Sequence, residues 1–505
     1  MVRKFPKKTL CLCDSVVKKR NNMKTLKFLS DAEIEAMHHA TLRILSEVGV
    51  TLNHPGARQM LTDAGATIHR SCREHDGARR QNDRVCLPPE LVENCIAKCP
   101  PQVTVRGRNG TTKILGDGSL NFHNLGGARD IHNPATDEHR FAVLQDVRDS
   151  TRLLDALPNC NTITPFFTQS DVPGELMSLA MYRHAMPFTT KPLQGPGVQA
   201  AAEVKYAVRM AEVLGPAPEV LTLSVSPVSP LAFPEHEVEA MLEIARQGVA
   251  FAPLPCPTAG ATAPFSIAGA IAQQAAEVLV ALVLAQLVHP GLPMIFCGRL
   301  AMMDPRTGIS VWGGIEMGLA SAGTVQLGHR YGLPVNVYGF STNSHALDIQ
   351  NGFERALNAV IPALAGADEL SGIGEMEAGS LSTYAQMVAD NEFASSIHRV
   401  RRGFAADEDT LAVDVIAKVM NGSRNFIGQK HTMKHLKSGE MFVTQLAERG
   451  SWESWDTGGR RGLGEQAQAE SERILREHQV EPLSESQSKE LDAIMASAEK
   501  ELVKS

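Results

Sequence analysis

Aromatic residues make up only 5% of this chain, yet Tyr331, Tyr338 and Phe340 bracket one short apolar run, Pro334 to Tyr338, and Asn343, His345 and Asp348 follow it closely. Ring faces beside polar oxygens are what a quaternary ammonium ion needs, because it has no N–H to donate and is held by the ring quadrupole and by oxygen atoms. On this reading Tyr338 and Phe340 form a cation-facing wall, and Asn343 and His345 meet the other end of the ligand. Packing of the same rings into a core is the competing reading. Arg129 and Arg299 each follow another apolar run, where a guanidinium either clamps a carboxylate or completes a structural ion pair. Glu392, in Asp390-Asn391-Glu392, either faces a cation or braces a helix.

The motifs of better-known chemistry are missing from the sequence. It contains no HExxH, no GxSxG elbow, no Walker loop and no paired CxxC, so no nucleophile, metal centre or phosphate loop is expected. Cys256 sits between Pro255 and Pro257 with no neighbouring cation to lower its pKa, and reads as a structural thiol. His431 and His435 are spaced to share a helix face, but the sequence offers no third ligand, and they read as surface histidines. The other candidate loops are small, amide-rich or hydroxyl-rich: Asn124-Leu125-Gly126-Gly127, Ser226-Pro227-Val228-Ser229-Pro230 and Gly260-Ala261-Thr262. A pocket built from them binds through dipoles more than through formal charge. No residue is assigned as catalytic.

These loops must be carried by regular elements, and the elements can be counted. Ser30 and Glu33 form a capping box ahead of a helical pattern that ends at Gly49. Two shorter helices, Pro55 to Ala64 and Pro88 to Ala97, make 23–115 a helical N-terminal region. From Leu120 onward, eight short apolar runs alternate with helical patterns: Leu120–Leu125, Thr162–Phe167, Thr189–Gln194, Val220–Val225, Val249–Leu254, Pro293–Cys297, Pro334–Tyr338 and Glu369–Ile373. Parallel strands need such crossovers, and eight in succession predict an α/β protein whose residues 116–400 form a (β/α)8 TIM barrel. An open doubly wound sheet is the alternative, but no GxGxxG follows the first run. Residues 401–505 read as a helical C-terminal region, with a second capping box at Ser484 and Gln487.

Composition narrows the classes further. In 505 residues, 43% hydrophobic and 21% charged content is that of an ordinary folded protein and excludes disorder of the bulk. A net charge of -7 leaves no basic field for a phosphate backbone, so nucleic acid is not an expected partner. Nine sparse cysteines point to a reducing, cytoplasmic compartment. The most apolar run, Val278 to Val288, is shorter than the ~18 residues that span lipid and reads as a buried helix, with no membrane association expected. Such apolar helices could pack within the chain or across a homo-oligomer. Residues 1–22 carry seven basic residues against Asp14 and lack the apolar core of a secretory signal. They read as a misassigned start before Met23, or as a disordered basic tail.

At the same loops the chain resembles the trimethylamine methyltransferase family, the corrinoid-dependent methyltransferases of methylated amines. The likeness runs from about Leu29 to Leu502 through Glu47-Val48-Gly49-Val50, Asn124 to Asp130, Ser226 to Leu231, Gly260 to Pro264, Ser341 to His345 with Asp348 and Gln350, Asp390 to Glu392, and His431-Thr432. The resemblance implies a TIM barrel that passes a methyl group from an amine to the corrinoid (cobalamin) of a cognate partner protein, with no cofactor held tightly by this chain. Founding members carry pyrrolysine, and this chain is written in the twenty standard residues. Members without it act on quaternary amines, glycine betaine being the best example, and that substrate class is the one implied here. Another methylated amine such as trimethylamine, a metal-dependent barrel hydrolase or lyase, and a non-catalytic betaine-binding protein stay open as alternatives.

Overall fold

The computed structural model of the chain describes residues 25–69, 72–75, 78–81 and 83–503, and the expectations for residues 1–22 lie outside them. Ser30 accepts from the Glu33 amide while the Glu33 carboxylate accepts from the Ser30 amide, which satisfies two otherwise orphaned donors at the helix start. That helix, Asp31–Arg43, runs on as a wider turn over Ile44–Val48 and stops where Gly49 takes a φ of 72°.

The eight apolar runs become parallel segments, each followed by a helix, from Leu144–Ala156 after the first to Tyr384–Arg402 after the eighth. One parallel sheet joins Leu193–Gly197, Leu221–Val225 and Ala250–Pro253. Another joins Phe296–Gly298, Val335–Tyr338, Glu369–Ile373 and Asn121–Asn124. Isolated parallel bridges link the two: Phe251 to Met294 on one side, His123 to Thr162 and Ile163 to Leu193 on the other. The second segment is therefore bridged rather than laddered. The third begins four residues later than expected, because Thr189 and Thr190 donate to the Asp155 carboxylate at 2.9 and 2.8 Å instead of joining a ladder.

Strands that are parallel throughout must be covered on their outer face, and their side chains there are apolar. Leu370, Val335, Val337 and Phe122 are fully buried. The helix Ile315–Arg330 lies so close to this layer that a Cβ on Gly328 would stand 2.5 Å from Val335, so only glycine fits. The helix Ile267–Val288 is longer than the run read from sequence. By length and composition it could cross a membrane, but 83% of its apolar window is buried within the protein. It packs against the helices Asp31–Arg43, Glu235–Gln247 and Pro89–Ile96.

The N-terminal region is not helical throughout: an antiparallel pair, Thr67–His69 with Arg84–Cys86, lies between its helices, and a hairpin, Val103–Arg106 with Thr112–Leu115, follows the last of them. The second of these bears on function. Val103 and Leu115 form a small apolar cluster with Ala250, Ala252, Ile295 and Cys297, separate from the main core, at the N-terminal end of the parallel strands. Small side chains on the fifth strand leave room for the hairpin to seal that end. The last helix of the chain, Glu485–Leu502, is capped by Ser484 and Gln487.

Candidate active site

Next to this hairpin, the parallel segments carry a column of polar side chains. Lys113, on the hairpin, is 5% exposed and donates to Glu369 on the eighth strand and to Thr162. Glu369 also accepts from Gln194 and Asn336, and Asn336 lies 2.9 Å from His123 Nε2. Burial alone would raise the Glu369 carboxyl, but Lys113, His123 and the hydrogen bonds from Lys113 and Asn336 outweigh it and hold it at about 2. Burial, with the Lys113 and Arg299 charges, overcomes the pull of Glu369 and keeps His123 down at about 4, so its imidazole is neutral. A buried pair of this kind repays its desolvation only when every remaining lone pair is satisfied, which is what Thr162, Gln194 and Asn336 do.

Asn336 carries the network upward to the C-terminal ends of the strands. Arg299, after the sixth strand and 4% exposed, donates to the Asn336 side chain and carbonyl and to the Gly298 carbonyl. Its guanidinium lies 4.3 Å from the centre of the Tyr338 ring, two residues beyond Asn336 and on the same side of the strand. The Trp312 ring meets Tyr338 edge-on at 5.4 Å. Burial, then the charge of Glu375, raises the Tyr338 hydroxyl well above its ordinary value. It stays a neutral phenol.

Two further groups line this mouth. Cys256 at the end of the fifth strand is exposed, yet its surroundings are dense enough that burial pushes its thiol up to about 11 despite Arg299. A thiol raised that far keeps its proton at neutral pH, which weakens it as a nucleophile. Glu375, just past the eighth strand, is 1% exposed and accepts from the Ser341 hydroxyl through Oε1, while Oε2 has no hydrogen-bond partner among the described residues. Burial raises its carboxyl to about 7 against the opposing pull of Ser341, Arg355 and Arg299. An anion held so near neutrality would be drawn into its charged form by a cation arriving beside it.

The residues singled out in the sequence distribute unevenly. Tyr338 and Arg299 come together at the mouth. Phe340, with φ 60°, is fully buried 5.6 Å from Phe122, which itself meets His398 of the helix Tyr384–Arg402. Asn343 uses its side chain to hold a neighbouring loop: Oδ1 accepts from the amides of Trp312 and Gly313 at 2.9 and 2.8 Å. His345 is 73% exposed and 3.3 Å from Glu377. Arg129 is 66% exposed, paired with Asp130 at 3.1 Å. Glu392 is the bracing group of the two readings, accepting from Thr444 and from the Gln445 amide. Sequence reasoning missed Trp312 and Glu375. Scarcity could have pointed to Trp312, one of only 3 tryptophans. Nothing in the sequence marks Glu375.

The loops bearing the mouth are bolted from behind. Arg355, with no exposure, pairs with Asp390 at 2.9 Å and donates to the Phe340 carbonyl, and Asp390 accepts from the Gly374 amide at 2.7 Å. Asn391 accepts from the Asn159 amide through Oδ1 and from the Asn159 side chain through its carbonyl. Glu277, inside the long apolar helix, accepts from Ser229 at 2.7 Å and from the Leu231 amide at 2.9 Å, anchoring the fourth loop.

A model of the trimethylamine methyltransferase family matches residues 7–503 of the chain. Trimethylamine methyltransferase MttB of Desulfitobacterium hafniense (strain DSM 10664 / DCB-2) is 31% identical over 424 residues, 83% of this chain and 85% of that one. Glycine betaine methyltransferase of Desulfitobacterium hafniense (strain Y51) is 28% identical over 389 residues, 75% of this chain and 80% of that one. Among solved structures, the Methanosarcina barkeri monomethylamine methyltransferase MtmB superimposes with a TM-score of 0.50 at 12% identity, over 89% of this chain and 87% of that one. Its hydroxylamine complex gives 0.51 at 13%, over 90% of each chain. At such identity the likeness is one of fold.

Proposed function

The chain belongs to the trimethylamine methyltransferase family, and on that premise we propose that it transfers a methyl group from a carboxylate-bearing quaternary amine of the glycine betaine type to the Co(I) corrinoid of a cognate partner protein. We also infer from the strand pairings that the eight segments close into a TIM barrel, since each has a parallel neighbour on both sides. The substrate site would then lie at the C-terminal face of the barrel, where such folds carry their chemistry.

One observation carries the substrate reading: a guanidinium stacked on Tyr338 at 4.3 Å, with the Trp312 ring against the same tyrosine and the Glu375 carboxyl close by. A guanidinium on an aromatic pair, with a carboxyl that interacts electrostatically with both Tyr338 and Arg299, complements a small zwitterion. Arg299 would take the carboxylate and the aromatic pair the ammonium, with Glu375 supplying a counter-charge. A bare trialkylamine offers Arg299 nothing.

The corrinoid, when its carrier docks, supplies the nucleophile. The rim supports docking of such a carrier: Phe265 after the fifth strand, Ile309 and Ile315 after the sixth, and Ile349 and Phe353 after the seventh are exposed apolar side chains, a fit for a partner's face. This chain's residues would orient one N-methyl carbon outward and exclude water. The carbon–nitrogen bond breaks with its electron pair on nitrogen, so the tertiary amine leaves neutral and no general acid is required. A Cys256 thiol and a Tyr338 phenol that keep their protons also present no anionic nucleophile to compete with cobalt for the methyl group. Orientation can supply ~7 to 11 kcal/mol of barrier lowering in favourable cases.

The test is a panel of quaternary and tertiary methylamines incubated with the protein and Co(I) cobalamin and followed by visible absorption. Methylation by glycine betaine or a close analogue is expected. Methylation by trimethylamine alone would overturn the substrate reading, and tight betaine binding without any methyl transfer would make this a binding protein.

A further inference from the structure

The stretch beyond the eighth helix has little core of its own. Among the helices Glu408–Leu411, Val413–Met420 and Lys430–Lys437, Val419 alone is buried, while Leu411, Val413, Met420 and Leu436 are more than half exposed. Apolar burial cannot hold three short helices of this kind together, and small units without a core are usually held by a covalent or metal cross-link.

A ligand set stands at the junction of the first and third of these helices. Asp409, His431 and His435 each present one ligand atom, and the three atoms lie within 4.8 Å of one another. The two histidines are one turn apart with ring centres 4.2 Å apart. His435 Nε2 is shielded from solvent, makes no hydrogen bond among the described residues and lies 3.5 Å from Asp409 Oδ2. His431 Nε2 is 3.0 Å from the Asp409 carbonyl. The carboxylate is occupied by Lys434 at 2.6 Å, an ion pair whose lysine side chain is 60% exposed and free to swing away.

We propose that Asp409, His431 and His435 form a binding site for a divalent ion of the zinc class, which clips the helix Lys430–Lys437 to the segment 408–411. Two neutral imidazoles and a carboxylate are a common zinc donor set, and bonds of about 2.0–2.2 Å require only that the three donors close by about an ångström. Solvent takes the fourth position. The site is structural. It lies on the C-terminal addition and takes no part in the methyl transfer proposed above.

The test uses the full-length protein, stripped with a chelator and titrated with Zn2+ by calorimetry and with Co2+ by visible absorption. One equivalent is expected, with a tetrahedral cobalt spectrum and a rise in the thermal midpoint on adding zinc. Asp409→Asn, His431→Ala and His435→Ala should each weaken binding by at least about ten-fold, the loss that even an outer-shell partner of a metal site causes. Lys434→Gln should tighten it by removing the competing ammonium, an effect no purely structural role predicts. Absence of binding in the native protein, unchanged binding in the His431→Ala/His435→Ala variant with a native thermal midpoint, or weaker binding in Lys434→Gln would each overturn the site.

Discussion

Replacing Glu375 with glutamine should change how the protein responds to pH, and the sign can be worked from its surroundings. The carboxyl is 1% exposed and raised from an ordinary 4.5 to about 7, chiefly by burial. At about 1.4 kcal/mol per pH unit, that gap corresponds to about 3 kcal/mol. The unfolded chain releases this proton near pH 4.5 while the folded chain keeps it to about 7, so between those values the folded state binds more protons and stability falls as pH rises. Below the window nothing is lost, and above it the whole amount is. Glutamine has no proton to lose and can still accept from Ser341. Thermal midpoints measured at pH 5 and pH 8 should therefore show Glu375→Gln gaining on the native protein by several degrees at the higher pH. Asp390, raised to about 6 mainly by burial, also repels Glu375, so the difference between the two proteins includes that coupling. A bound quaternary cation should favour the ionised carboxylate, so native affinity climbs from pH 5 to 7 and then levels, while the variant stays flat. Parallel pH profiles for the two proteins, in stability or in affinity, would refute the assignment of Glu375 as the cation's counter-charge.

Arg299→Lys keeps the charge and loses the planar fork; binding of carboxylate-bearing betaines should fall by about ten-fold or more, while choline, which lacks the carboxylate, changes little in the same calorimetric titration. Trp312→Ala should weaken cation binding by about 0.5 to 2 kcal/mol, and Asn343→Ala should do so in part, because Asn343 holds the Trp312 and Gly313 amides. Equal effects on a neutral isostere of the substrate would show that the ring is not sensing charge. Phe340→Ala removes a fully buried ring packed on Phe122; it should cost about 3 to 5 kcal/mol of stability, read as a lowered thermal midpoint, whereas an unaltered midpoint would contradict its place in the packing.

Much of the scaffold was legible because it depends on local periodicity. Short apolar runs and amphipathic helices declare themselves residue by residue, and the eight runs reappear as parallel segments within a few positions. The third slipped because Asp155, far away in sequence, takes the Thr189 and Thr190 donors. The hairpin at the N-terminal end lies inside the stretch 23–115 read as helical, since Val103 and Leu115 find their partners on strands well over a hundred residues later. For the site, the sequence brought Tyr338 and Arg299 to attention for their chemistry. It also nominated Phe340, Asn343 and His345, three neighbours of the same strand end that the backbone sends in three directions. A positive φ turns Phe340 inward to the packing, Asn343 serves the preceding loop, and His345 stays in water.

Sequence alone therefore determined the element order, the alternation that makes an α/β protein, the family likeness, and the kind of groups able to hold a permanent cation. Tertiary structure decided which of those groups meet: that Arg299 lies on Tyr338, that Trp312 and Glu375 join them, that Lys113 closes on Glu369, and that Asp409 reaches His431 and His435. The reason is physical. Helices and strands answer to spacing within a few residues, whereas ion pairs, stacked rings and ligand sets depend on atoms brought within about 4 Å by chain folding over tens to hundreds of residues, which no local pattern records.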